Sequence, residues 1–322
     1  MKTKRTGIFS GLVLAAAMFA APTMAQTTSI GSNPQGSLFY TTGTAIAGVM
    51  SEKTGGQYRV APFGGSSTYL PMVNRGELEF GLTNSAEAAF AYMGEGMFEG
   101  VPNEDLRLVG SLFPAINGFM VRADSDIKTA ADLKGKKIAS EFVAGRTFHY
   151  LSGAALAASN LTWDDVTGVP VPEYVAGIDL LIDGRVDAAY STVGVAAAQR
   201  AMASIPGGIR FVSVDHSGDV TDRMNAVMPT AEPVTMTPGT ADNGIVDDPT
   251  NLMQMQFVLM AGKDMSEDAV YEMVKTLHDS KPDLAAKLGA FNRFNPDGMM
   301  TASPVPYHEG ALRYYREIGI AQ

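Results

Sequence analysis

Short apolar runs alternate with stretches of helical periodicity along most of the chain. Apolar runs of four to eight residues predict strands, and apolar residues every three to four positions predict helices. The predicted strands are residues 57–61, 78–83, 107–112, 118–122, 137–139, 188–191, 209–214 and 256–260. The predicted helices are residues 39–53, 67–75, 130–133, 147–159, 178–183, 193–202, 267–280 and 308–318. Strands that alternate with helices indicate parallel βαβ units and an α/β fold.

A polar turn at residues 29–40 joins one apolar run to the first long helix. Gly36 permits a sharp bend, Ser32 and Ser37 carry hydroxyls, and Ser37 is predicted to be the N-cap. Tyr40 follows in the first helical turn and is a candidate to hydrogen-bond a ligand, the alternative being a place in the core. Free backbone N–H groups and the positive end of a helix dipole suit a carboxylate. The turn contains no lysine or arginine, so its donors are neutral. The alternative is an ordinary strand-to-helix turn.

Two further polar turns follow predicted strands in the same way. Gly65 and Ser66 precede a helix after the strand at 57–61, and Asn84 and Ser85 follow the apolar run 78–82. In open α/β sheets, ligands bind outside the carboxyl ends of the strands. The three turns therefore predict one site for a small anionic solute.

The first 25 residues have the pattern of a secretory signal peptide. Lys2, Lys4 and Arg5 precede an apolar stretch at 8–21, and small residues lead to a cleavage site after Ala25. The alternative is an N-terminal membrane anchor, for which the apolar stretch is short. The sequence thus predicts an exported, periplasmic protein.

Composition excludes several classes of partner and chemistry. Without Lys2, Lys4 and Arg5, 21 basic residues face 34 acidic ones, a net charge of −13. This charge argues against nucleic acid or an anionic membrane as a partner. The chain has no cysteine, which excludes disulfides, thiolate catalysis and cysteine metal sites.

The length beyond the signal peptide fits two lobes of ordinary size. The strands at 118–122 and 256–260 each lead through a short polar turn to a helix, and we interpret them as two crossings between lobes. Lobe 1 would comprise residues 26–117 plus 260–322, and lobe 2 residues 118–259. The alternative is two ordinary strands within one lobe. Residues 237–250 are rich in Gly, Pro, Asp and Asn and are predicted to be a loop.

Several segments together resemble the TAXI family, the extracytoplasmic solute receptors associated with TRAP transporters. The order of the segments carries the resemblance, and residues 306–319, PYHEGALRYYREIG, are the most discriminating. The other matching segments are residues 30–40, 62–66, 70–82, 132–139 and 183–189.

The resemblance implies a type II periplasmic-binding-protein fold, with two α/β lobes around a ligand cleft. It also implies the role of substrate receptor in a tripartite, ion-coupled transporter with membrane permease subunits. Known ligands of the family are small carboxylates such as glutamate and 2-oxoglutarate. Two segments depart from the family pattern. Residues 33–35, Asn-Pro-Gln, replace a run rich in glycine and threonine, and Arg146 takes a glycine position beside the matching Thr147.

In lobe 2, Arg146 is predicted to grip a carboxylate through its guanidinium, with Thr147 as a second donor or an N-cap. The alternatives for Arg146 are a solvated loop side chain or a partner of Glu141. Ser191 and Thr192 follow the run 186–190 and are predicted at a strand exit of the cleft. Their alternative role is to cap the next helix.

No catalytic or metal-binding motif is present in the sequence. It lacks G-x-x-x-x-G-K-[ST], H-E-x-x-H and G-x-S-x-G, and its four histidines have no metal-ligand spacing. Asp242, Asp247 and Asp248 do not follow calcium-loop spacing. We expect no enzyme activity, no cofactor, no metal and a monomer.

Two other functions remain open at this stage. The same receptor could present its closed form to a membrane sensor kinase, or an exported enzyme could use the same fold. For the ligand, neutral donors plus one arginine favour a dicarboxylate or oxo-acid over an amino acid. An amino acid would also need an acid for its ammonium group, and Glu87 and Glu141 are the candidates.

Overall fold

A computed structural model describes residues 27–238, 244 and 249–321. The predicted signal peptide, most of the loop at 237–250, and Asp242, Asp247 and Asp248 lie outside the described residues. The strands are β1 (Thr28–Ser32), β2 (Tyr58–Pro62), β3 (Phe80–Asn84), β4 (Leu106–Arg122), β5 (Lys137–Ser140), β6 (Thr167–Pro170), β7 (Ala188–Thr192), β8 (Ile209–Phe211), β9 (Glu232–Met236) and β10 (Thr250–Gly262). The helices are α1 (Leu38–Thr54), α2 (Ser66–Asn74), α3 (Ser85–Met93), α4 (Thr147–Ala158), α5 (Tyr174–Ile182), α6 (Ala196–Ser204), α7 (Val220–Asn225), α8 (Glu267–Asp279), α9 (Lys281–Lys287) and α10 (Glu309–Glu317).

Two long antiparallel strands, β4 and β10, connect two groups of shorter strands. The first half of β4 pairs with the second half of β10, which continues through β3 and β1 to β2. The second half of β4 pairs with β7 and β8, and β7 continues through β5 to β6. The first half of β10 pairs with β9. The two long strands therefore join the groups, because β10 pairs with β3, β4 pairs with β7, and β4 and β10 pair with each other.

The predicted lobe boundaries, 117/118 and 259/260, fall inside these two strands. The strands predicted at 107–112 and 118–122 are one continuous strand, and that at 256–260 is the second half of β10. We propose to keep the predicted division and use the names lobe 1 and lobe 2 for it.

The strand pairing is mixed, because the predicted parallel units occur together with two long antiparallel strands. β2, β1 and β3 are parallel neighbours in lobe 1, and β6, β5 and β7 are parallel neighbours in lobe 2. β4 and β10 are antiparallel to each other and to their neighbours. A strand that carries the chain into lobe 2 must be matched by one that returns, and this accounts for the antiparallel pair.

The helices begin where the parallel strands end. Ser37 caps α1 as predicted, because its Oγ accepts a hydrogen bond from the Tyr40 N–H at 3.0 Å. The Asn84 side chain caps α3 in the same way by accepting from the Glu87 N–H at 2.9 Å. α1 ends at Gly55, whose φ of 74° is in the left-handed region that favours glycine. Among the described residues, no helix is both long and apolar enough to cross a membrane.

Candidate functional site

The strand exits of the two lobes face each other and make direct contacts. The carbonyl of Gly36, before α1, accepts a hydrogen bond from the N–H of Ala197 in α6 at 3.2 Å. The Thr68 hydroxyl in α2 donates to the carbonyl of Ala144, before α4, at 3.1 Å. The first turns of helices from both lobes therefore meet across the cleft.

The two backbones approach most closely at the turn before α2. A Cβ atom added to Gly65 would lie 2.3 Å from Gly145 Cα, and one added to Gly64 would lie 2.4 Å from Ala144 Cβ. Neither contact leaves room for a side chain, since carbon atoms pack at about 3.5–4.0 Å. Gly65, predicted to line the ligand site, therefore admits the backbone of the opposite lobe.

A buried carboxyl group lies at this junction. Glu87, in the first turn of α3, is fully buried and accepts hydrogen bonds from three hydroxyls. Ser66 and Thr83 (2.7 Å) belong to lobe 1, and Thr147 belongs to lobe 2. Burial raises the pKa of the Glu87 carboxyl, and the hydroxyl donors oppose that rise. We call Glu87, Ser66, Thr83 and Thr147 the Glu87 cluster.

The Glu87 cluster uses two hydroxyls that the sequence assigned to a ligand. Ser66 and Thr147 are both buried and both donate to Glu87. The sequence placed Glu87 only as a candidate partner for an ammonium group. The spacing of Asn84 and Glu87 could have placed Glu87 in the first turn of a helix, because the two residues stand at its N-cap and third positions.

Ser85 makes a further contact between the lobes. Its Oγ lies 2.8 Å from Oγ1 of Thr230, which follows α7 in lobe 2. Asn84 is buried, with its side-chain oxygen accepting the capping hydrogen bond described above. Both side chains therefore lie near the junction of the lobes and each already has a protein partner, and their role in binding a solute stays a prediction.

Arg146 lies at the rim of the cleft. Its side chain is exposed, and its guanidinium donates to the Met97 carbonyl of lobe 1 at a long 3.4 Å. With Glu141, His149 and Tyr150 it lines a surface cavity of about 260 Å³. The structure does not bring the guanidinium into the Glu87 cluster.

The remaining predicted side chains bond to residues close to them in sequence, except that Thr192 of lobe 2 bonds to Asn117, the last residue of lobe 1 before the first crossing. Ser32 is buried, and its hydroxyl donates to the Asn33 carbonyl at 2.9 Å. The Tyr40 hydroxyl accepts from the Gln35 side chain at 3.3 Å. Ser191 donates to the Thr192 carbonyl at 3.2 Å, and Thr192 donates to the side chain of Asn117 in β4 at 2.7 Å. The last bond ties the end of β7 to a long strand between the lobes.

Sequence reasoning missed an aromatic pair on the lobe 2 side. Tyr174, the first residue of α5, is buried and stacks on Phe148 of α4, with ring centroids 4.3 Å apart. Its hydroxyl lies near Ser37 of lobe 1, and burial raises its pKa far above the usual value. Among the described residues, buried Asn33 Oδ1 has no hydrogen-bond partner and is a free acceptor near the same turn.

Solved structures with this fold include proteins named for the binding or transport of small molecules. The alkanesulfonate-binding protein SsuA from Xanthomonas axonopodis pv. citri, bound to MOPS, matches with a TM-score of 0.52, 16% identity and coverage of 90% of this chain and 83% of that chain. A structure described as a periplasmic transporter matches with a TM-score of 0.57, 13% identity and coverage of 91% and 92%. The amino acid ABC transporter substrate-binding protein AbpA from Streptococcus pneumoniae, bound to L-arginine, matches with a TM-score of 0.51, 14% identity and coverage of 83% and 95%. At these identities the likeness concerns the fold, and it confirms the predicted type II periplasmic-binding-protein fold with a cleft between two lobes.

A protein-family model gives the second comparison. The model of the NMT1-like family matches residues 30–319, which include all the elements around the cleft from the end of β1 to α10. The chain therefore belongs to the NMT1-like family.

Proposed function

We propose that this protein is the periplasmic solute-binding receptor of a tripartite, ion-coupled TRAP transporter, and that it binds a small carboxylate between its lobes. The observation that carries the proposal is the meeting of helix N-termini at the cleft. The starts of α1 and α2 in lobe 1 contact the starts of α6 and α4 in lobe 2. Helix N-termini offer N–H donors and a partial positive charge, which together favour a carboxylate without a fixed cation.

The names of the structurally similar proteins support the role of a solute-binding receptor. SsuA and AbpA carry MOPS and L-arginine, each of which has an anionic group, and their names assign them to binding and uptake. The order of sequence segments that resembles the TAXI family supports membrane permease subunits as partners. In this proposal the protein is exported by its signal peptide, acts as a monomer in the periplasm, and has no enzyme activity.

The proposed solute-binding residues surround the junction of the lobes. They are Ser32, Gly36, Ser37, Tyr40, Gly65, Ser66, Asn84, Ser85, Arg146, Thr147, Ser191 and Thr192. Entry of a solute would require the lobes to part and would break direct contacts such as the hydrogen bond between Thr68 and Ala144. Hinge closure would then restore contacts around the solute.

The Glu87 cluster refines the choice among carboxylates. Its carboxyl is the one buried acid among the described residues, and no lysine or arginine contacts it. A second negative charge on the solute beside Glu87 is disfavoured unless one carboxyl is protonated. A solute with an ammonium group would be attracted. The proposed solutes are therefore an oxo-acid, a dicarboxylate whose second carboxylate lies away from Glu87, or an acidic amino acid.

Thermal unfolding tests this proposal directly. Residues 26–322 would be unfolded and refolded to remove bound solute and then heated with oxo-acids, dicarboxylates, amino acids and sulfonates. A solute at about a thousand times its Kd adds roughly 4 kcal/mol to the free energy of unfolding. For lobes of this size, that gain raises Tm by several degrees. If no carboxylate raises Tm, the proposal fails.

Ser66→Ala is the matched variant for the site, and Ser303→Ala is its control. Ser66 lies in the Glu87 cluster, whereas Ser303 lies on an exposed turn far along the chain. The Tm shift caused by the solute should shrink in Ser66→Ala and stay unchanged in Ser303→Ala.

A further inference from the structure

Glu87 forms a contact between the lobes through a group that can bind a proton. The carboxyl and two of its donors, Ser66 and Thr83, belong to lobe 1, and the third donor, Thr147, belongs to lobe 2. In the structure, with the lobes in contact, the carboxyl is completely buried. Separation of the lobes would remove Thr147 and admit water to the carboxyl. The two conformations would therefore give Glu87 two different environments.

Among residues 27–238 and 249–321, no lysine or arginine pairs with Glu87 in the closed cleft. α2, α3, β3 and β10, which surround it in lobe 1, contribute no other charged side chain. A titratable group close to Glu87 is Tyr69 of α2, which is buried and donates its hydroxyl proton to the Leu82 carbonyl. Its phenol is neutral at physiological pH because burial, followed by the nearby Glu87 charge, raises its pKa well above the usual value.

The charged groups on the lobe 2 side point away from the cluster. On α4 and the turn before it, the Arg146 guanidinium reaches the Met97 carbonyl, and Glu141 is exposed. The His149 ring stacks on Trp163 at 4.6 Å, with the ring planes 4° apart. Burial lowers the pKa of His149, which keeps this ring neutral near pH 7.

Hydroxyl partners can serve either protonation state of the carboxyl. A Ser or Thr hydroxyl donates to a carboxylate, and it accepts when the carboxyl is protonated. Arginine or lysine in the same place would hold the carboxylate ionised. The cluster is thus suited to gain and lose a proton without losing its hydrogen bonds.

We propose that Glu87 is a proton-binding site coupled to lobe closure, so that the cleft takes up a proton as it closes and opens more readily as pH rises. This inference rests on the hinge motion of the proposed function and names a second ligand, the proton, for the same cleft. In an ion-coupled transporter it would make solute capture by the receptor respond to the pH outside the inner membrane.

The direction of the effect follows from burial. The pKa of the carboxyl is raised in the closed form, whereas a hydrated carboxyl of the open form has the ordinary value of about 4.3. The closed form therefore binds the proton more tightly. Closure is favoured most below the open-form pKa, and this gain is lost as pH rises through the closed-form pKa. Each unit of difference between the two pKa values changes the closed-to-open ratio by about tenfold.

The experiment measures the distance between the lobes and needs no solute. Because the chain has no cysteine, Glu99→Cys in lobe 1 and Asp164→Cys in lobe 2 give two exposed labelling sites without background. The distribution of distances between the labels would be recorded from pH 4.5 to 7.5, with circular dichroism to confirm that the protein stays folded. The closed fraction should fall as pH rises from the lower limit and then become constant.

Two variants with opposite expected effects accompany the labelled protein. Glu87→Gln mimics the protonated carboxyl and should keep the closed fraction constant over the whole range. Thr147→Val removes a donor that stabilises the ionised carboxylate, so closure should weaken most near pH 7 and depend more steeply on pH. Glu95→Gln, an exposed acid of lobe 1, is the control and should keep the pH response of the labelled parent.

The outcomes separate this inference from the proposed function. A distance distribution that does not change with pH, or an equal pH response in Glu87→Gln, overturns the proton site. If the pH response is present and Glu87→Gln removes it, the proton site stands even when no carboxylate raises Tm. In that case only the proposed solute class fails.

Discussion

Replacing Gly64 by alanine is expected to hold the two lobes apart. The φ angle of Gly64 lies outside the left-handed region, so alanine adds no backbone strain of its own. The new Cβ would lie 2.4 Å from Ala144 Cβ in the closed cleft. Carbon atoms need about 3.5 Å, so the lobes must separate by about 1 Å at this point.

The cost of this separation is set by the contacts that it breaks. The hydrogen bond from Thr68 to Ala144 is worth about 0.5–1.5 kcal/mol, and the one from Thr147 to the Glu87 carboxyl about 1.5–3 kcal/mol. Their loss would destabilise the closed form by about 2–4.5 kcal/mol. The affinity for a solute bound by closure should therefore fall by about 30-fold to about 2,000-fold.

A second substitution makes the reasoning refutable. Ala144→Gly removes the atom that the new Cβ would strike, so the double variant should recover most of the lost affinity. Gly289→Ala in lobe 1 is the control, since a Cβ there has no neighbour closer than 4.0 Å. The effect is measured by calorimetric titration of the wild type, Gly64→Ala, the double variant and Gly289→Ala with the solute found by thermal unfolding. Unchanged affinity in Gly64→Ala, or a loss that Ala144→Gly does not reverse, refutes the steric explanation.

Three further predictions address closure, the rim and stability. The double variant Ser85→Cys and Thr230→Cys should form a disulfide under oxidation, because the two hydroxyl oxygens lie 2.8 Å apart. The disulfide should block solute exchange until a reductant breaks it, and free thiols detected by Ellman assay in the oxidised protein would contradict this. Arg146→Ala should lower the solute affinity measured by calorimetry by less than about tenfold, because the exposed guanidinium of Arg146 reaches lobe 1 through a long bond to the Met97 carbonyl. A larger loss would show that the guanidinium turns into the cleft. Ser37→Ala removes the N-cap of α1, which costs about 1 kcal/mol and should lower Tm by about 2–4 °C in calorimetric unfolding. A Tm equal to that of the wild type would mean that another group accepts the hydrogen bond from the Tyr40 N–H.

Periodicity and turn chemistry were sufficient to predict much of the fold. The predicted helix at 39–53 is α1 within one residue at each end, because its N-cap Ser37 and its end at Gly55 are both local signals. The predicted helices at 67–75 and 147–159 also match α2 and α4 closely. α3 was missed because its sequence, SAEAAFAYM, is mostly apolar and follows a strand directly, so no periodicity separates the two.

The continuity of the long strands could not be predicted locally. Residues 113–117 join the two predicted strands and include Pro114 and Asn117, residues that usually interrupt strands. Pairing with β10 across these positions holds them extended, with Gln256 opposite Pro114. Such pairing joins residues about 140 positions apart, and no local pattern contains that information.

The meeting of the strand exits was easier to predict than the contacts made there. The structure brings polar turns of both lobes together, because the chain must turn where each strand ends, and the binding of a solute at this place stays a prediction. The sequence did not show that Ser66 and Thr147 would donate to Glu87, since these residues are 21 and 60 positions away from it. Arg146 was the strongest candidate by chemistry, but its direction depends on the packing of α4 against lobe 1.

The long strands also determine the order in which the chain can fold. The first half of β4 needs residues 306–315, because Leu108 forms backbone hydrogen bonds with Pro306 and His308, and Tyr315 donates to the Val109 carbonyl at 2.7 Å. In the proposed division, lobe 1 is therefore incomplete until those residues have been synthesised. Lobe 2, one continuous stretch, has all of its own residues earlier. During synthesis, then, residues 27–117 emerge first and complete their lobe last, a period in which their apolar strands depend on chaperones for protection.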